Sequence, residues 1–429
     1  MMRRIAVPAC AALCIASLHG CAPRPQSPPI EALEESKIEY LGGMIDQQQR
    51  IYDQILARCD LEYERAVAAG HPDDRVFDAL ILSGGGAKGA FGAGFLVGWG
   101  EVTDPEFKRP EFDLVTGVST GSLIAPMAFL GDETSYREAD LIYRNPQSDW
   151  VKERSLLNIL FTLDSVFEDA GLLRTIERTI GERIPRIAAE SKDHRLLLVG
   201  TTNVNQGSSQ IWNLSELAGR VEAGTMTKES FCRHLLSSAS IPVAFPPQYL
   251  GGNLYVDGST TRDILYLSAF QSNDSVAKEW MSRHPGARPP KIRIWVIANT
   301  PLVVPPAAVD ARDTAIIDRS LDLSVQSALL GQLKILELET RLLREVQGRD
   351  VEFRFVAMPD DWTPHSDAMF DKGDMDRMSD IGHAMGRDPK NWRVSVPDPL
   401  APAQLRAEME RQLEAQRAAQ AKQASQPTK

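Results

Sequence analysis

The chain has 429 residues, 43% hydrophobic and 24% charged, with a formal net charge of −11. That is globular composition, enough for one large domain or two small ones. An acidic balance without a basic block argues against nucleic acid as a partner and against electrostatic docking on anionic lipid, since both need a basic face.

The first residues read as a targeting segment. Arg3 and Arg4 precede a 14-residue apolar run, Ile5 to Leu18, interrupted only by Pro8 and Ser17. Such a run is too short to span a bilayer as a helix and suits a signal-peptide core. Leu18-His19-Gly20-Cys21 follows and resembles a bacterial lipobox, although His19 departs from the usual small residue. The resemblance implies lipidation of Cys21 after removal of residues 1–20. The cut takes away Arg3 and Arg4, leaving a charge of about −13, so attachment would rest on acyl chains rather than charge. Ala22, where inner-membrane retention signals carry Asp, implies the outer membrane. Pro23, Pro25, Pro28 and Pro29 make 21–30 an extended tether.

Helical spacing of Tyr52, Ile55, Leu56, Cys59, Tyr63 and Ala66 predicts a helical arm within 31–75, running from about Glu31 to Ala69. A catalytic domain is expected over 76–390 and a polar helical or disordered tail over 391–429. Strands are expected at Phe77–Leu82, Phe112–Thr116, Arg195–Val204, Asn253–Val256, Ile292–Ala298 and Val351–Met358. Helices are expected at Ala90–Gly98, Ser122–Leu130, Thr227–Ser238 and about Arg312–Val346. This alternation predicts an α/β fold with a mostly parallel central sheet and helices on both faces. Ligands bind such sheets at the carboxyl ends of the strands. Cys59 and Cys232, the cysteines left beyond Cys21, could pair or stay as buried thiols.

Chemistry concentrates in three places. Ser83-Gly84-Gly85-Gly86-Ala87-Lys88-Gly89 follows the first strand and opens a helix. Its glycines allow a sharp turn with exposed N–H groups, and the helix start adds positive potential: an anion cradle. Gly84–Gly89 fits a dinucleotide fingerprint, but the next strand ends without the acid that would hold a ribose. Gly89 after Lys88 breaks a phosphate-binding loop. Gly117-Val118-Ser119-Thr120-Gly121 sits between a strand and a helix, where a tight turn projects the Ser119 hydroxyl from the sheet. Tyr255-Val256-Asp257-Gly258-Ser259 reads by itself as a turn, but it follows the segment Ser238-Ala239-Ser240-Ile241-Pro242-Val243-Ala244-Phe245-Pro246-Pro247.

In this order these motifs resemble the patatin-like phospholipase family, over roughly Phe77 to Asp263. Met369-Phe370-Asp371-Lys372-Gly373 could close the domain. The resemblance implies a three-layer α/β/α fold and a serine acyl hydrolase acting on lipid esters, phospholipase A or lysophospholipase-like. Ser119 would be the nucleophile and Asp257 the base of a Ser–Asp dyad. Gly84, Gly85, Gly86, Ala87, Lys88 and Gly89 would form the oxyanion-hole loop, Gly117 and Gly121 the elbow, and Gly258 and Ser259 the Asp-Gly turn. Lys88 stands where many members carry Arg, and Ser259 where many carry Gly or Ala. No metal or organic cofactor is expected.

Other readings stay open at this level. A conventional α/β-hydrolase would add a histidine, and His365 or His383 has the right chain order. A non-catalytic lipid-binding lipoprotein and a nucleotide-binding protein are further alternatives. Residues 131–193 read as a mostly helical insertion whose cluster of Leu156, Leu157, Ile159, Leu160, Phe161 and Leu163 fits either a lid or ordinary core. The sequence names no protein partner.

Overall fold

The computed structural model describes residues 28–152, 165–267 and 276–398, apart from 305, 312 and 367, with scattered positions between 401 and 417. The proposed signal segment, Cys21, most of the tether, the Leu156–Leu163 cluster and most of the tail lie outside the described residues.

The elements run α1 (Ile30–Ala69), β1 (Val76–Leu82), α2 (Gly89–Trp99), β2 (Leu114–Val118), α3 (Thr120–Leu130), α4 (Glu133–Arg144), α5 (Ala170–Thr179), α6 (Ile184–Glu190), β3 (Leu196–Asn203), β4 (Ser208–Asn213), α7 (Leu214–Glu222), α8 (Lys228–Ser238), β5 (Gln248–Leu250), β6 (Asn253–Asp257), α9 (Val276–Arg283), β7 (Lys291–Ala298), α10 (Asp313–Glu345), β8 (Val351–Ala357) and α11 (Lys372–Gly386). The sheet order is β5-β6-β3-β2-β1-β7-β8, with β4 also on β3. β3, β2, β1, β7 and β8 are parallel, whereas β4, β6 and β5 join antiparallel. The expected mostly parallel sheet is there, with an antiparallel flank.

Both faces are buried, which is why the parallel strands read as unbroken apolar runs. Along each strand, alternate residues serve opposite cores. Leu80, Leu82, Val115, Leu197, Val199, Trp295 and Ile297 pack with Phe91, Phe95, Trp99 and Ile124 of α2 and α3. Phe77, Ala79, Leu114, Leu196 and Leu198 pack with Ile51, Ile55, Leu56 and Cys59 of α1. Ile81, Ile294, Val296, Phe353 and Phe355 pack with Leu329, Leu333 and Leu336 of α10. Cys59 and Cys232 are buried free thiols on opposite faces of the sheet, so the pairing reading fails.

Each expected strand and helix has an observed counterpart with ends within a residue or two, whereas strands β4 and β5 and helices α7, α9 and α11 are not among those expected. β4 has no counterpart among the expected strands, because Ser208–Asn213 is polar. It is an edge strand covered by the arm, with Tyr40 Oη 2.7 Å from Ser208 Oγ and Gln47 donating to the Ile211 oxygen at 2.7 Å. β5 also has none, being three residues long and too short to show a period.

Buried ion pairs tie the arm and the amino ends of the strands together. Arg58 of α1 donates to Asp113 at 2.7 Å, and Asp113 accepts the Asp78 N–H at 2.7 Å. Asp78 accepts from Arg293 Nε and Nη2, at 2.8 and 2.7 Å, and from Trp295 Nε1 at 2.8 Å. Burial pushes the Asp113 carboxyl up to about 6, with the Arg58 guanidinium working in the opposite direction. Arg58→Met should cost about 3 kcal/mol in chemical denaturation at pH 7, as expected for stranding a buried charge. The deficit should shrink toward pH 5, because an acid whose folded pKa is raised is buried at less cost once protonated.

Candidate active site

The topology puts a crevice beside β1. The chain builds outward from β1 through β2 to β3, then switches to its other side with β7 and β8. The carboxyl ends of β1 and β2 therefore face the switch point, where open α/β sheets bind ligands.

Ser119 follows β2 with φ 53° and ψ −124°, a conformation rarely tolerated by a residue with a side chain. The turn is held from several sides. The Ser119 N–H donates to Ser238 Oγ at 2.9 Å, and Ser238 Oγ donates to the Gly200 oxygen at 2.6 Å. The Ser119 oxygen accepts Ser122 N–H at 2.9 Å and Ser122 Oγ at 2.6 Å. Tyr143 bonds both the hydroxyl and the main-chain oxygen of Thr120. Gly117 pairs with Leu82 across β1 and β2. Gly121 allows α3 to start against β1: a side chain's first carbon there would meet the Ser83 oxygen at 2.6 Å.

Asp257 reaches Ser119 through strand register. Val118 is opposite Gly200 of β3, and the next β3 residue, Thr201, is opposite Asp257 of β6. Ser119 Oγ donates to Asp257 Oδ2 at 2.5 Å, and Asp257 Oδ1 accepts the Ser259 N–H at 2.8 Å. Both side chains are buried, at 4% and 3% exposure. Burial pushes the Asp257 carboxyl up to about 6, partly offset by the Ser119 and Ser259 hydrogen bonds. A carboxylate with that value is a better base than a solvated one, yet still ionised at neutral pH.

The Gly loop lies alongside. Gly84 N–H is committed to the Asp263 oxygen at 3.2 Å, so of the loop glycines Gly85 and Gly86 keep the uncommitted donors among the described residues. Gly85 turns at φ 145°, open in practice to glycine alone. Asn299, at the end of β7, clamps the loop: its N–H reaches Ser83 Oγ at 2.8 Å and its amide the Ser83 oxygen at 2.7 Å. Ala87 and Lys88 are half-buried, Gly89 begins α2, and Gly258 is buried. Ser259, an off-pattern residue, forms its turn with the Asp257 cap intact.

The histidines lie elsewhere. His383 Nε2 bonds Glu101 at 2.8 Å, and His365 Nε2 lies 3.0 Å from Arg377. Neither stands between serine and carboxylate, which touch directly. Asp371 caps α11, so Met369–Gly373 opens a helix inside the described fold rather than ending it. A cavity of about 420 Å³ lined by Asp149, Arg174, Arg178 and Lys228 shares no residue with this centre.

Comparison with known proteins bears on what such a centre belongs to. Residues 80–270 match the family model described as patatin-like phospholipase. Residues 80–270 are a patatin-like phospholipase domain. That stretch holds the Gly loop, Ser119 and Asp257, while β7, β8 and the helices after them lie beyond it. VipD from Legionella pneumophila is similar in structure over 72% of this chain and 67% of its own, at 10% identity and a TM-score of 0.33. No curated protein matches. The patatin-like domain makes the protein a lipid acyl hydrolase in the broad sense.

Three supporting residues have no role legible in the sequence. Ser238 opens the segment that leads to Asp257, Asp263 ends the resembling stretch, and Asn299 ends a strand; only the last position carries a general signal of function. Gly85→Val should abolish ester hydrolysis while shifting the melting temperature by only a few degrees, because the side chain crowds the turn and its donors. Assay and melt together check this: a folded variant with near wild-type turnover would make the loop purely structural.

Proposed function

We propose that the protein hydrolyses carboxylic esters of phospholipid or lysophospholipid through an acyl-enzyme on Ser119, with Asp257 as the base. Ser119 Oγ attacks the ester carbonyl as its proton passes to Asp257 Oδ2. The oxyanion takes the N–H groups of Gly85 and Gly86, where one donor is typically worth ~100- to 1000-fold in rate. Collapse expels the alcohol, which leaves with the proton from Asp257. Water then attacks the acyl-enzyme, Asp257 accepts the water proton, and Ser119 recovers a proton as the fatty acid departs.

The observation that carries this reading is the 2.5 Å bond from a buried serine to a buried carboxylate. The strained backbone of Ser119 favours catalysis over a passive binding role, since strain persists where the surroundings enforce it, often at active sites. The partners of His365 and His383 give no support to a relayed proton.

Ser119→Ala and Asp257→Asn should each lower hydrolysis of a short-chain ester at least ~100-fold, the scale of a lost nucleophile or base. His365→Ala and His383→Ala should keep most activity; a folded histidine variant as dead as Ser119→Ala would replace the dyad with a triad. Turnover should also fall as pH drops through about 6, because Asp257 accepts a proton only when ionised.

Location is part of the proposal. With Cys21 diacylated, residues 21–30 would tether the domain to the envelope, on the outer membrane in preference to the inner, through acyl chains. No helix among the described residues is long and apolar enough to cross a membrane. Cys21→Ser should move the protein to the soluble fraction or stop its maturation. An unmodified Cys21 in membrane-bound protein, read by mass spectrometry, would refute the anchor.

A further inference from the structure

A second carboxyl lies inside the site. Asp263 has no exposure, and neither side-chain oxygen has a hydrogen-bond partner. It lies against the Gly loop: a side chain's first carbon at Gly84 would meet Asp263 Oδ1 at 2.5 Å, Ser259 Oγ closer still, and Ser119 Cβ at 3.3 Å. Ser259 Oγ lies near enough to Asp257 and Asp263 to favour either anion, but in hydrogen-bonding geometry with neither. Two buried carboxyls around one hydroxyl are not both ionised without strong compensation. Asp257 has the Ser119 hydroxyl and the Ser259 N–H to hold its charge, so the proton stays on Asp263.

We propose that Asp263 is a positioning residue that works only as the neutral acid. Protonated, it fills the space behind Gly84 and leaves Asp257 as the sole anion. Ionised, it puts a second negative charge behind the loop that must hold the oxyanion, and turnover falls. The inference rests on the roles given above to Ser119, Asp257 and the loop.

The groups facing this carboxyl fit the assignment. Asp257 raises its proton affinity, whereas the Ser259 hydroxyl, the nearby Gly84 N–H and Lys88, half-buried at the start of α2, lower it without outweighing burial. α10 presents the neutral Gln332, whose oxygen is taken by the Asp263 and Ile264 N–H groups at 3.1 and 3.0 Å. Burial is the largest influence and pushes Asp263 up to about 7, above Asp257.

The test is the pH profile of hydrolysis of a water-soluble short-chain ester from pH 5 to 9, with Ser119→Ala and Asp257→Asn run in parallel. The wild type should rise through about pH 6 and fall above about pH 7. Asp263→Asn and Asp263→Ala should both remove the alkaline fall, raising the ratio of rates at pH 8.5 and 6.5 about tenfold, whatever the absolute rate. A wild type without an alkaline fall, or folded variants that keep it, would overturn the proposal. Turnover that survives Ser119→Ala or Asp257→Asn would instead overturn the dyad. A second readout needs no activity. In the Ser119→Ala background, Asp263→Asn should gain melting temperature relative to its parent as pH rises from 4.5 to 7.5. The unfolded acid releases its proton near pH 4 and the folded one near 7, so the parent loses stability over that window. A pH-independent difference would show that Asp263 is not held neutral.

Discussion

A serine hydroxyl bonded directly to a carboxylate, both away from water, is the constraint around which this molecule is organised. For the proposed dyad, a solvated aspartate would be too weak a base to take a serine proton, and the remedy is desolvation, which would destabilise the carboxylate until it accepts protons more readily. That remedy works only if the carboxylate stays within one hydrogen bond of the hydroxyl. An imidazole could bridge a longer gap; a bare carboxylate cannot. Two strand registers and one strained turn therefore have to agree closely. β2 delivers Ser119, β6 delivers Asp257, and β3, which pairs with both along one edge, sets the spacing. The antiparallel entry of β6 is the departure from a purely parallel sheet that makes the meeting possible.

The strain at Ser119 is held by ordinary interactions. The Ser238 hydroxyl receives its N–H, Ser122 occupies its carbonyl, and Tyr143 anchors Thr120. A strained backbone of this kind costs about 1–3 kcal/mol and survives because its neighbours over-determine it. The surrounding elements are correspondingly rigid. β1 and β2 are buried on both faces, and α2 packs closely on α11, with Gly94 and Gly98 set against the backbone of Ser379 and His383.

The buried acids divide by whether they have partners. At the amino ends of the strands, Asp78 holds Arg293 and Trp295, and Asp113 holds Arg58; these carboxylates join sheet, arm and neighbouring strands. Near the carboxyl ends, Asp257 is bonded to the Ser119 hydroxyl, and the Asp263 side-chain oxygens have no hydrogen-bond partner. A guanidinium beside a carboxylate offsets its charge and ties elements together, although burial still pushes the Asp113 carboxyl up. Burial pushes Asp257 and Asp263 up toward neutral pH, the range in which a group can take part in proton chemistry.

Much of this is legible in the amino-acid sequence. Alternation of apolar runs with helical periods specifies the layers, because strands buried on both faces must be continuously apolar and covering helices must repeat every 3.6 residues. The spacing of its apolar residues places the arm to within a residue at each end. Residue type and order mark Ser119 on a glycine-flanked turn and the loop of Gly84 to Gly89, because local backbone conformation depends on local residues. The tertiary structure alone decided what lies between distant segments. Ser119 and Asp257 are 138 positions apart, and their 2.5 Å contact follows from the registers of three strands. Folding alone set the two buried thiols on opposite faces and turned His365 and His383 to other partners. It also left the Asp263 side chain behind Gly84 with no hydrogen-bond partner. An aspartate has the same letter in a salt bridge and in a dry pocket; only the packing around it determines which proton it keeps.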